Sequence, residues 1–214
     1  MNKQQRGHGA EAGLPRLLGE RLCLDFVNSV EGPLGNQPVD YLGGYSDLVR
    51  WGHHTGTIDA GLAASLTGQG RERGAGAASV FARAIDLREA LGSVFRELAH
   101  GRVPAPIDLD RLSDEYRRAL GHARLVSTGA HYDWEWPDTA TDLDRPLWAI
   151  VRSAVDTLST GDPTRIRECP GADDCGWLFY DTSRNGSRRW CSMEGCGSRV
   201  KMRHHYARHR AAGG

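Results

Sequence analysis

Four of the five cysteines fall in the last fifth of the chain, at Cys169, Cys175, Cys191 and Cys196. Their spacing is C-x5-C-x15-C-x4-C, two close pairs separated by a loop. No other feature restricts the fold so much. Zinc prefers four soft thiolates in a tetrahedron, and a short chain delivers them as two such pairs. Pro170 and Gly171, inside the first pair, let the chain turn back so that both sulfurs face one point. Gly195 and Gly197 flank Cys196 in the same way. With every coordination position taken by sulfur, one structural zinc is expected, not a catalytic one. The competing readings are two disulfides, disfavoured inside a cell, or reduced cysteines without a metal. A ligand set drawing on His204 and His209 would strand the first cysteine pair, and its loop is shorter than a two-Cys, two-His finger needs.

Between the pairs, Gly176–Asp181 is aromatic and apolar, Asn185-Gly186 is a strong turn signal, and Arg188–Cys191 leads back to the metal. This reads as a hairpin followed by a helix from Ser198, a treble-clef-like or ribbon-like module. So small a unit needs the ion for most of its folding free energy.

The net charge of zero conceals a division. Residues 1–164 hold 17 Lys and Arg against 22 Asp and Glu (net −5), whereas residues 165–214 hold 10 against 5 (net +5). From Arg184 to Arg210 there are eight basic residues and one acid, Glu194. Arg184, Arg188, Arg189, Arg199, Lys201, Arg203 and Arg208 are therefore the candidate nucleic-acid contacts, because arginine forks suit phosphates and guanine edges. The alternative is a solvated basic face, or one that docks on the acidic remainder.

The first 160 residues read as mainly α with one small β-hairpin. Residues 1–13 are polar and Gly-rich, and are expected to be disordered. Residues 21–32 suit either a strand or a helix. Residues 33–43 read as loop. The segment YSDLVRWGHHTG, residues 45–56, reads as a short helix with Leu48, Val49 and Trp51 inward. The Gly/Arg tract at 68–76 reads as a loop. After it, Val80, Ala84, Leu87, Leu91, Val94 and Leu98 form a long 3.6-residue stripe, closed by Gly101 and Pro104. A second helix is expected with Asp108 as N-cap. A hairpin follows around Gly129. A third helix is capped by Asp144 and carries Leu147, Ile150, Val151 and Ala154. The expected division is a helical domain over 14–160 and a finger over 165–210.

No HExxH, GxSxG or phosphate-binding glycine loop occurs, so the chain is not read as an enzyme. His53 and His54 read as exposed at a helix end, Cys23 as a buried inert thiol, and Trp134, Trp136 and Trp148 as core. An enzyme site near Trp134, Trp136, His53 or His131 is the least favoured reading. The chain contains no long apolar run, and its first residues lack the apolar stretch of a secretory signal, so a cytoplasmic location without membrane contact is expected.

The segment C…C-G-W-L-F-Y-D-T-S-R-N-G-S-R-R-W-C-S-M-E-G-C-G-S-R, which starts at Cys169, resembles the CGNR zinc finger, with the same four cysteines and the RRWCSM run. Ser198 stands where that family has asparagine; both residues suit a helix N-cap. Upstream, "LCLDFVNS", "YSDLVRW" and the "LREAL" helix resemble the ABATE domain, the usual partner of that finger. The resemblance implies a stress-response transcription regulator that binds double-stranded DNA through the finger. The helical domain would dimerise or sense a small-molecule effector. An RNA- or protein-binding adaptor is the alternative.

Overall fold

The computed structural model describes residues 13–31, 39–137, 142–171, 175–203 and 205. The N-terminal stretch expected to be disordered lies, up to residue 12, outside the described residues. The element order is α1 (Leu22–Val27), β1 (Val30–Glu31), β2 (Val39–Asp40), α2 (Tyr45–His54), α3 (Ala60–Glu72), α4 (Gly74–Ala99), α5 (Pro106–Leu120), β3 (Arg124–Ser127), β4 (Tyr132–Glu135), α6 (Arg145–Ser159), β5 (Ile166–Glu168) and β6 (Leu178–Tyr180). The strands form three antiparallel pairs, β1–β2, β3–β4 and β5–β6.

The helices are where apolar periodicity places them. The α4 stripe buries Val80, Ala84, Leu87, Leu91, Val94 and Phe95, and α6 buries Leu147, Ile150, Val151 and Ala154 against the same core. α2 adds Leu48, Val49 and Trp51, with the Trp51 ring edge-on to Phe26 of α1 at 5.2 Å. Removing this apolar surface from water is the main driving force for assembly. α4 ends as expected, at a Gly101 with φ 69°. Among the described residues no helix is long and apolar enough to cross a membrane.

Several local expectations are corrected. The Gly/Arg tract at 68–76 is not a loop: α3 runs through it to Glu72 and α4 starts at Gly74, the two meeting at Arg73. Gly70 is needed there for close approach, since a Cβ would sit 2.7 Å from the Tyr45 ring. Asp108 is not the cap of α5; Ala105 holds that position, Pro106 opens the helix, and Asp108 lies in the first turn. Asp144 occupies the N-cap of α6, but its side chain makes no capping bond and instead accepts from Arg83 Nη2 at 3.2 Å. Trp148 and Trp136 pack with the core, but Trp134 is exposed on β4. Residues 39–40 of the expected loop form β2, whose Asp40 receives both Nη atoms of the buried Arg88 (2.7 and 2.5 Å).

β5 and β6 do not stand apart from the helices. Ile166, Leu178 and Tyr180 are buried in the same core as α1, α4 and α6. Asn28, just past α1, donates from Nδ2 to the Leu178 carbonyl (2.8 Å) and accepts from the Leu178 amide at Oδ1 (2.9 Å). Trp177 Nε1 donates to the Val30 carbonyl at 2.9 Å, and the Tyr180 amide donates to Gly19 at 2.9 Å.

Candidate metal centre and basic surface

β5 runs into Cys169, and β6 begins three residues after Cys175, so the first cysteine pair sits in the loop that connects the two strands of a β hairpin. The expected hairpin between β6 and the chain returning to Cys191 is not the one that forms. β6 pairs upstream, with Ile166↔Tyr180 and Glu168↔Leu178. The physical reason lies at Asp181. Its buried carboxylate accepts from the Ser183 amide (2.8 Å), the Ser183 hydroxyl (2.6 Å) and the Arg188 amide (3.0 Å). Burial pushes this carboxyl up, yet the Ser183 and Arg188 donors outweigh it and hold it below the usual carboxylate range. Arg165 Nη1 ties down the Asp181 and Ser183 carbonyls (2.9 and 3.0 Å). The Asn185-Gly186 turn does form, with Gly186 at φ 60°, but the loop is held by these polar groups and not by a ladder.

Cys191 lies at the end of this loop, and Cys196 sits in a wide turn, Met193–Gly197. Ser192 caps that turn by accepting from the Gly195 amide at 3.1 Å. Ser198 is thus not an N-cap. It already has helical dihedrals (φ −67°, ψ −42°), and its hydroxyl donates back to the Met193 carbonyl at 3.0 Å. A helix continues over 198–203.

The four Sγ atoms all lie within 4.8 Å of one another, with 3.8 Å between Cys175 and Cys191 and 3.6 Å between Cys191 and Cys196. None is in a disulfide. A tetrahedron of Zn–S bonds near 2.3 Å separates its sulfurs by about 3.8 Å, so the set fits one zinc ion. Gly171 makes room for it: a Cβ there would lie 2.8 Å from Cys175 Cβ and 2.9 Å from Cys196 Sγ. Electrostatics agree. Cys175 and Cys191 donate to the Cys169 sulfur and hold its thiol far below the ordinary value. That same donation pushes Cys175 up to about 12 and Cys191 further still. Four thiolates therefore need a cation among them. When bound, zinc supplies a tetrahedral template for four chain segments and has no open position for water. The Cys191 amide donates to Cys169 Sγ (3.3 Å) and Arg199 Nη2 to Cys196 Sγ (3.5 Å), which offsets the excess negative charge of a four-thiolate site. Cys169, Cys191 and Cys196 share a small apolar cluster with Trp177, Phe179, Trp190 and Leu18.

The predicted nucleic-acid contacts separate into groups. Arg184, Arg189, Lys201 and Arg203 are exposed, with the Arg189 guanidinium 5.5 Å from the centre of the Trp190 ring. Arg199 is exposed over much of its length, but one nitrogen serves Cys196. Arg188 turns inward. Nε donates to the Trp190 carbonyl, Nη2 to the Leu18 and Cys191 carbonyls, and Nη1 to Glu20, while the group stacks over Phe179 at 4.6 Å. Its part is to hold the cysteine loop against residues 18–20. Arg208 lies outside the described residues, as do His204 and His209. Sequence reasoning missed Asn28, Arg165, Asp181 and Glu20. Only Asp181 left a signal, an aspartate two residues before a serine, which favours a side-chain turn.

The other candidates do not converge. His53 and His54 face the backbone carbonyls of Ile58 and Pro15, and His131 is exposed at the β3–β4 turn. Cys23 is buried beside Ser153 and Thr157, and desolvation pushes its thiol up to about 11. A cleft of about 740 Å³ beside Trp136 is lined by Arg21, Arg152, Asp156 and Tyr180, and among the described residues no histidine or cysteine lines it.

A family model described as "Putative stress-induced transcription regulator" (ABATE) matches residues 20–161, two thirds of the chain. A second, the CGNR zinc finger, matches residues 165–209. Neither is an enzyme family. No curated protein sequence matches the chain.

Proposed function

Because the chain belongs to the ABATE family and carries a CGNR zinc finger with a single structural zinc site, we propose that it is a cytoplasmic transcription regulator that binds double-stranded DNA through the zinc-ordered module. In this reading the helical part, matched over residues 20–161, carries the regulatory input. One observation bears the most weight. The four cysteines order a loop and a helix that present Arg184, Arg189, Lys201 and Arg203 to solvent, within residues 165–214, whose net charge is +5. Such a surface releases counterions from phosphates on binding. Arg199, part of whose guanidinium serves Cys196, belongs to the same surface. Arg188 is removed from it, since its donors are used within the protein.

The test is duplex DNA binding over a salt series with the zinc-loaded chain, repeated after chelation and after zinc is restored. Binding that weakens steeply with salt, disappears with the metal and returns with it supports the proposal. Each Ala substitution at Arg184, Arg189, Lys201 or Arg203 should lower affinity for all sequences and flatten the salt slope by about one. A zinc-loaded chain that does not bind duplex DNA at low salt would refute the proposal, and binding to RNA or protein instead would assign the surface to an adaptor role.

A further inference from the structure

α5 and α6 lie side by side in opposite directions. His122, just past α5, stacks on Trp148 near the start of α6 at 4.5 Å, while Leu109 near the start of α5 shares a groove with Leu158 near the end of α6. The groove has a volume of about 390 Å³ and an apolar floor of Leu109, Leu112, Tyr116, Val155 and Leu158. Leu109, at the rim of the groove, is 37% exposed. Exposed apolar surface gathered along one helix marks a contact surface more than chance scatter does.

Charge identifies the occupant. Along α5 acids and bases are interspersed, with Arg111 beside Asp110 and with Asp114 and Glu115 just before Arg117 and Arg118. Asp110 and Arg117 are two turns apart, so they share one side of the helix, and both are exposed. Arg117 also lines the groove. Among the described residues Asp110 has no hydrogen-bond or ion-pair partner, while Arg117 pairs with Asp114 one turn away. A second α5 laid antiparallel across the first places Asp110 of each copy near Arg117 of the other. One two-fold operation then makes two ion pairs, and the helix dipoles oppose favourably. A parallel arrangement sets like charges together. Ser113, exposed, small and midway between Asp110 and Arg117, falls near the axis, where a small residue allows close approach.

We propose that the α5–α6 groove is the interface through which two copies of this chain pair, with their α5 helices antiparallel. The pairing stands independently of what the finger binds. It is tested by sedimentation velocity of the full zinc-loaded chain at micromolar concentrations and moderate salt. The expected result is a dimer, with Leu109→Glu shifting it to monomer while the circular dichroism and melting temperature of the chain persist. Asp110→Arg should weaken pairing about tenfold or more by setting like charges together, and Asp110→Arg combined with Arg117→Asp should restore it. Ser113→Cys should form a disulfide between copies under mild oxidation. A native chain that stays monomeric over the whole concentration range overturns the proposal. So does a dimer that neither Leu109→Glu nor Asp110→Arg disturbs.

Discussion

Asn28→Ala should destabilise the protein far more than its small size suggests. Asn28 is 2% exposed and Leu178 is fully buried, and the amide side chain satisfies both backbone groups of Leu178. No water reaches them to take its place. Two buried groups left unpaired cost about 1–3 kcal/mol each, so a loss of about 3 kcal/mol or more is expected. For a chain of this size that corresponds to a fall in melting temperature of about 6–12 °C. Asp59→Ala is the control. Asp59 caps α3 by accepting from the Leu62 amide at 2.7 Å in solvent, and its loss should cost about 1 kcal/mol. Asn28→Asp separates volume from chemistry. It keeps the acceptor for the Leu178 amide but turns an acceptor toward the Leu178 carbonyl, so it should be as harmful as alanine near neutral pH and less so in acid, where the protonated acid can donate. The assay is urea unfolding of the zinc-loaded variants, with zinc release to a chelator followed in parallel. Leu178 lies three residues beyond Cys175, so Asn28→Ala should also release zinc faster. A loss under about 1 kcal/mol with unchanged zinc release would refute the reasoning, because the Leu178 backbone would then have found other partners.

Arg188→Ala and Arg189→Ala should differ in kind despite being neighbours: the first costs about 2–4 kcal/mol through its lost carbonyl and Glu20 contacts, while the second leaves stability intact and changes only the salt slope of DNA binding. Urea unfolding of both variants tests this, and equal stabilities would count against it. Asp40 gives a pH signature. Burial pushes its carboxyl up, but the Arg88 guanidinium and the Leu42 amide outweigh it and hold it below the usual value. A depressed folded-state pKa means that the stabilisation is complete above the ordinary carboxylate range and is lost as pH falls through the depressed value. Asp40→Asn should therefore lower stability at pH 7 and flatten its decline in acid, as read from unfolding midpoints across pH. Cys23, with its thiol near 11 and no exposure, should stay unlabelled by a thiol reagent at pH 8 in the zinc-loaded chain and react only after denaturation.

The long elements were legible because their signals repeat. α4 and α6 show apolar residues every third or fourth position over several turns, and the burial of Leu87, Leu91, Ile150 and Val151 follows directly. The metal centre was legible because four cysteines in two close pairs have few other uses. What failed was decided by single distant contacts. Gly70 reads as a breaker, yet it permits α3 to pass the Tyr45 ring. Asn185-Gly186 reads as the turn of a hairpin, yet Asp181 and Arg165 satisfy that loop and leave β6 free to pair with β5. Arg188 and Arg189 are identical in composition. Only the position of Phe179, and of Leu18 and Glu20 from the chain's other end, sends one inward and leaves the other in solvent.

The charge division between residues 1–164 and 165–214 suggests two modules on a linker, yet buried contacts cross it. Ile166 and Leu178 are fully buried in the helical core, and Asn28, Gly19 and Val30 bond directly to β6 or its approach. Removing zinc should therefore be felt beyond the finger. A structural zinc site contributes on the order of 10 kcal/mol to the fold it closes. Without it Cys169 and Cys175 no longer hold the connecting loop of the β5–β6 pair, and the cover over α1 and the end of α4 loosens. Hydrogen exchange of the stripped chain should show faster exchange in Leu22–Val27 and in the last turns of α4, while the middle of α4, packed against α2 and α5, keeps its protection. Unchanged protection of α1 after chelation would mean that the finger hangs from the helices as an independent module. In that case a change in the helical part would have no rigid route to the orientation of Arg184, Arg189 and Arg203. Loss of α1 protection means that the buried hydrogen bonds of Asn28 and the Arg188–Glu20 pair carry that orientation, and that finger and helices respond together.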